Sequence, residues 1–287
     1  MTLALAGLIQ AIMLKTRVIT ALCLLAGILA ALFLLPEPAW VVFCALICAA
    51  AAHEWAGMIG FAAARRAVYS VLLGALCLTG GCVAGLHRPE TVAPFALAPV
   101  YGVSALFWLT CVPVWLKSRW QLRGVGAGAL VGLVLLLPPS LAIAHLRLLG
   151  PWVLLAVMAA VWVADIAAYF SGRTFGSRKL APSISPGKSW EGAYGACVGV
   201  VVYGFACAAS VGLDWTAPRV WMPGVIGLMG FTAVSIIGDL FESLIKRQAG
   251  IKDSGTLLPG HGGVLDRIDS LTSTLPMAAL VALWLAR

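Results

Sequence analysis

Charge is what this sequence has least of. Asp, Glu, Lys and Arg make up 10% of its 287 residues, and only 11 of those are acidic. Soluble domains carry roughly a quarter charged residues. At 62% hydrophobic residues and a mean hydropathy of +1.01, a water-soluble globular chain is excluded. CxxC pairs are also missing. The eight cysteines, Cys23, Cys44, Cys48, Cys77, Cys82, Cys111, Cys197 and Cys207, all fall inside apolar stretches, where a thiol behaves as a small hydrophobe. A cysteine metal centre and a disulfide framework are therefore poor readings. The first fifteen residues lack the basic segment and cleavage site of a secretory signal. Residues 1–16 read as an interfacial or disordered leader, with Met13 an alternative start.

What is there in abundance is apolar sequence in lengths suited to a bilayer, whose hydrocarbon needs about 20 apolar residues per helix. Nine spans are predicted, at 17–35, 39–57, 67–87, 94–116, 124–145, 151–171, 190–212, 220–242 and 271–286. The chain reads as an all-α polytopic membrane protein, with N-terminal helices over 17–150 and a C-terminal set over 151–287. With the amino terminus in the cytoplasm, 15 of the 19 basic residues fall inside and only Arg88, Arg147, Arg219 and Arg287 outside. That bias follows the rule that cytoplasmic loops are rich in Lys and Arg, and puts the C-terminus outside. Net charge is +8, but the basic residues border membrane helices and form no soluble patch. Anionic lipid headgroups and a polyanionic substrate fit better than nucleic acid.

Two cytoplasmic loops, 172–190 and 243–270, hold the unusual chemistry. The first combines Arg173, Arg178, Lys179 and Lys188 with Gly172, Gly176 and Gly187, followed by Glu191, and is preceded by Asp165 and Tyr169 in the span before it. Glycine lets backbone amides approach an oxyanion and basic side chains neutralise it, so this composition suits a phosphate chain. Ser185, Lys188 and Glu191 are candidate nucleotide contacts. Ser189 and Glu191 equally suit a plain helix cap.

The second loop carries Lys246, Arg247, Lys252, Asp253, His261, Asp266, Arg267 and Asp269, with Asp239 and Glu242 just before it. Asp266 and Asp269, spaced i, i+3, share a helical face. Three neighbouring carboxylates in apolar surroundings would take up protons unless cations sit among them, and hard oxygen ligands suit Mg²⁺. The competing reading is salt bridging without metal, Asp239 to Lys246 and Asp266 to Arg267 or Arg247. His261, in the turn formed by Pro259, Gly260, Gly262 and Gly263, could contact ligand or brace the turn. His53 and Glu54 read as a structural hydrogen-bonded pair inside the second span.

The run from Ser243 through Lys246, Arg247, Lys252, Asp253, Pro259, His261, Gly262, Gly263, Asp266, Arg267 and Asp269 resembles the signature of the phosphatidate cytidylyltransferase family. The likeness continues through Asp165, Tyr169, Gly172, Gly176, Lys179, Ser185, Pro186, Lys188 and Glu191, while residues 1–150 resemble it mainly in hydropathy. It implies transfer of a cytidylyl group from CTP to phosphatidic acid in a bacterial-type cytoplasmic membrane, with the site facing the cytoplasm. It further implies Asp239, Asp266 and Asp269 as ligands of Mg²⁺ and of a second cation such as K⁺, and a homodimer. Catalytic roles then fall to these acids with Lys246, Arg247 and His261. Substrate contacts fall to Ser185, Lys188, Glu191, Lys252, Asp253, Arg267, Arg178 and Lys179.

Two rivals use similar residues. A cation-coupled transporter would have intramembrane carboxylates and broken helices, but it predicts related halves, and the sequence contains no internal repeat. An enzyme acting on CDP-alcohols would gather its aspartates in a motif opening on Asp-Gly, a dipeptide this chain lacks.

Overall fold

The computed structural model describes residues 19–214, 217–258 and 262–286. The leader, His261 and its neighbours Pro259 and Gly260 lie outside the described residues. Helix dominates because a backbone crossing lipid must satisfy its own hydrogen bonds. The helices are α1 (Ile19–Leu34), α2 (Glu37–Met58) and α3 (Ala63–Val83), then α4 (Pro94–Leu106), which runs through a π-turn at Phe107–Cys111 into α5 (Val112–Ser118). They continue with α6 (Val125–Leu149), α7 (Pro151–Phe175), α8 (Trp190–Ser210), α9 (Pro218–Gln248) and α10 (Leu265–Leu285). Proline stands in the first turn of α2, α4, α7 and α9, where its missing N–H costs nothing.

Counting α4 and α5 as one span, eight helices among the described residues are long and apolar enough to cross a membrane, and α1 is apolar but shorter. The protein is an integral membrane protein. Two boundaries differ most from those predicted, the others lying within about four residues. α9 continues past 242 to Gln248, and α10 begins at Leu265 instead of 271. Hydropathy ends a span at its first charges, but the helices carry theirs onward, because those charges find partners in the fold.

The fold is all-α as expected, with one short hairpin added in a loop. Within the first loop, β1 (Lys179–Ala181) and β2 (Ser185–Ser189) form an antiparallel hairpin, pairing Lys179 with Ser189 and Ala181 with Ser185. Ile184 N–H closes its turn on the Ala181 carbonyl at 3.1 Å. Strands this short leave no periodicity to read.

Two packing devices position the site. α7 and α8 lie close because Gly192, Gly195 and Gly199 face Ala168, Ser171 and Ala167, and a Cβ on Gly195 would sit 2.0 Å from Ser171 Oγ. α10 is embedded in the main core, which runs from Leu32 to Leu283, and it packs on α2, α4, α6 and α9. At the far end, buried Arg147 donates from Nε to the Leu32 carbonyl at 2.8 Å and from its terminal nitrogen to that of Leu35, with its guanidinium over Trp40. It thereby satisfies the open carbonyls where α1 ends.

Candidate functional site

A cleft of about 500 Å³ opens between α7, β2, α8 and α9, reaching Ser270 on α10. Its polar lining includes Asp165, Tyr169, Arg173, Ser185, Lys188 and Asp239, and its apolar lining includes Ala164, Ala168, Ala196 and Ile236.

The first loop is held by short-range bonds. Ser189 Oγ accepts from Gly192 N–H at 3.2 Å, so it caps α8. The Glu191 carboxylate accepts from the Ser177 N–H (3.2 Å) and hydroxyl (2.9 Å) and from the Arg178 N–H (3.2 Å), and pairs with Arg178 Nε at 3.3 Å. It fastens the segment leading into β1 and is absent from the cleft lining. The glycines divide by role. A Cβ on Gly176 would lie 2.1 Å from the Gly172 carbonyl and 2.8 Å from Ser189 Oγ, and one on Gly172 would crowd Ser189 Oγ at 3.1 Å. These two serve packing. Gly187, which lines the cleft, has open space where a side chain would be.

The second loop's acids are partly paired, with partners other than those the sequence suggested. Lys188 Nζ lies 2.5 Å from Asp239 Oδ2, and Ser243 Oγ donates to Asp239 Oδ1 at 3.2 Å. Lys246 Nζ bridges Glu242 at 3.0 Å and Asp266 at 2.7 Å. Asp266 Oδ2 also accepts from the Ser254 and Gly263 amides, both at 2.8 Å. Asp269 accepts from Ser270 N–H at 2.7 Å. Asp165, Asp239 and Asp269 lie within electrostatic range of one another, as do Glu242 and Asp269. Five acids thus share two lysines; of these seven, Asp165, Asp239 and Lys188 line the cleft, and Glu242, Lys246, Asp266 and Asp269 stand behind its lining. Asp165 forms no hydrogen bond or ion pair among the described residues.

The remaining candidates stand further out. Arg247, Lys252, Asp253, Arg267, Arg178 and Lys179 are exposed, and of these only Arg178 has an ion pair among the described residues. The His53–Glu54 pair does not form. His53 is exposed, and the Glu54 carboxylate accepts from Ser254 Oγ (3.0 Å), Val264 N–H (3.0 Å) and Leu265 N–H (2.9 Å). Arg173, grouped from sequence with the first loop's phosphate-suited basic residues, lines the cleft and donates to Tyr169 OH at 2.8 Å. Asp165, which the sequence had already singled out, also lines it. An acid in the middle of an apolar span was the available signal.

Comparison with known proteins covers nearly the whole chain. The model of the cytidylyltransferase family matches residues 15–285. A phosphatidate cytidylyltransferase of Pseudomonas aeruginosa is 42% identical over 96% of this chain and 98% of its own length. Proteins of the same name from Haemophilus influenzae and Thermotoga maritima are 50% and 41% identical, each over 44% of this chain and 44% and 47% of their own. Matched from its first span to its last, the chain belongs to the cytidylyltransferase family.

Proposed function

We propose that this protein transfers the cytidylyl group of CTP to phosphatidic acid, releasing pyrophosphate and forming CDP-diacylglycerol for phospholipid synthesis. The observation that carries the reading is the mixed lining of the cleft. Ala164, Ala168 and Ile236 stand beside Asp165, Lys188 and Asp239, which suits a substrate with an acyl body and a phosphate head. The Pseudomonas aeruginosa relative, matched end to end, supports the same substrates.

In this reaction a phosphate oxygen of phosphatidic acid attacks the α-phosphorus of CTP, and the bond to the β-phosphate's bridging oxygen breaks. The nucleophile is already anionic, so no strong base is needed, and charge repulsion and alignment make the barrier. Lys188 brings a cation into the cleft beside Asp239, placed to meet a phosphate chain. Exposed Lys252, Arg247 and Arg267 add positive charge around the second loop.

Five acids against two lysines leave negative charge for a cation to balance. No three acids, histidines or cysteines among the described residues form a ready cage, which fits an ion held by one or two carboxylates plus substrate phosphates. Asp239 and Asp266 would hold a cation pair, Mg²⁺ and a second ion such as K⁺, with Asp269 as a further ligand or in support of them, and Lys246 orients Asp266. When bound, such an ion offsets the charge of the triphosphate and of the leaving pyrophosphate. The reading places the protein in a bacterial cytoplasmic membrane as a homodimer, nine spans per copy, with the amino terminus and cleft at the cytoplasm and the C-terminus outside.

The test is incorporation of labelled CTP into a lipid-soluble product by purified protein, with phosphatidic acid and Mg²⁺ each supplied or withheld. Product only when all are present is expected. A folded sample that makes none would return the transporter reading to the front.

A further inference from the structure

The geometry points to Glu54 as a positioning residue for the reaction: from α2, it seats the start of α10 and the loop before it so that Asp266 stands at the site. This rests on the proposed role of Asp266. Glu54 is 7% exposed, and its three acceptor contacts lie 200, 210 and 211 residues away in sequence. Two of these bonds come from backbone amides at the first turn of α10, the donors a helix leaves unmet. A carboxylate there also meets the positive end of the helix dipole. Val264, at the N-cap position of α10, offers no side-chain cap of its own. Glu54 supplies that cap from another helix.

The link to Asp266 runs through shared residues. Ser254 gives its hydroxyl to Glu54 and its amide to Asp266. Gly263 gives its amide to Asp266, and the next two amides go to Glu54. The two carboxylates thus hold one short stretch of backbone from opposite sides. The loop is shaped to admit Glu54, since a Cβ on Gly255 or Gly263 would lie 2.6 or 2.4 Å from its carboxylate oxygens. Glu54 touches neither the cleft lining nor the Lys188–Asp239 pair, so its influence passes through the loop and Asp266.

The test compares Glu54→Gln, Glu54→Ala, Glu54→Asp, Gly263→Ala and Asp266→Asn in the full-length protein. Readouts are kcat, KM for CTP and for phosphatidic acid, the Mg²⁺ concentration for half-maximal rate, and amide hydrogen exchange at Ser254, Gly263, Val264 and Leu265. Glu54→Ala should lower kcat about 10- to 100-fold and raise the Mg²⁺ requirement, the range found when groups that orient metal ligands are removed. KM for phosphatidic acid should stay near that of the parent, exchange at the four amides should quicken, and Glu54→Asp should recover part of the loss. Gly263→Ala, whose Cβ would meet Ser254 Oγ at 2.2 Å and the Glu54 carboxylate at 2.4 Å and so part this pair without removing either, should reproduce the Glu54→Ala defect and add little to it in the double variant. Normal kcat and Mg²⁺ response in Glu54→Gln and Glu54→Ala would overturn the inference, as would additive losses in the double variant. If Glu54→Ala does not fold, Glu54→Gln and Gly263→Ala decide by the same readouts. An active Asp266→Asn would instead overturn the assignment of Asp266 on which the inference rests.

Discussion

Lys188 and Lys246 show how the same residue type does different work in one site. Lys188 borders open space in the cleft and holds Asp239, so its cation remains close to any phosphate that enters. Lys188→Ala should therefore raise KM for CTP about tenfold or more, a loss of one charge-assisted contact, while KM for phosphatidic acid changes little. Steady-state kinetics with each substrate varied in turn would check it, and equal effects on both would argue against a nucleotide role. Of the residues singled out from sequence, Asp165, Tyr169, Arg173, Ser185, Lys188 and Asp239 are brought to one cleft. Glu191 was legible as a helix-start residue and is one, but its bonds to Ser177 and Arg178 could not be read, because they depend on the hairpin.

At the scale of elements, α9 and α10 are joined by Lys246, whose ammonium bridges an acid on each. Glu242 is 3% exposed and the Lys246 side chain 12%, so removing the cation strands two carboxylates in a poorly hydrated place. Lys246→Met should destabilise the protein by about 3–5 kcal/mol, the usual cost of leaving a buried charge without its partner. Thermal unfolding in detergent, followed by loss of the monodisperse peak, would measure it. The long apolar runs fixed the helices' existence well, and eight of the nine predicted spans appear as membrane-length helices. The charged ends of α9 and α10 were missed for the reason that makes Lys246 important. Hydropathy sees its charge but not the two acids that accommodate it. The hairpin was invisible for want of length, although its Gly and Pro residues marked the loop as special.

Over the whole molecule, orientation is the property that the basic residues argue for and the fold alone leaves open. Ser183 in the hairpin turn and Glu90 in the segment after α3 are both exposed. In intact cells, Ser183→Cys should resist a membrane-impermeant thiol reagent until the membrane is opened, whereas Glu90→Cys should react at once. Cys23, Cys82 and Cys111, the exposed native thiols, lie on membrane helices, so the parent protein sets the background. Labelling in the opposite order would reverse the proposed topology. Arg147, one of the four basic residues that the proposed topology puts outside, has a local task there, since its guanidinium is bound to the carbonyls that end α1.

The bond from Glu54 to the start of α10 also sets a timetable. A ribosome adds about 5–20 residues per second, so the partners of Glu54, more than 200 residues downstream, follow it by roughly ten to forty seconds. For that interval α2 sits in the bilayer with an acid awaiting its helix. A chain interrupted before α10 lacks two of the three donors that Glu54 meets in the complete fold. Arrival of the last helix supplies them, so completion of the chain and completion of the site become one event.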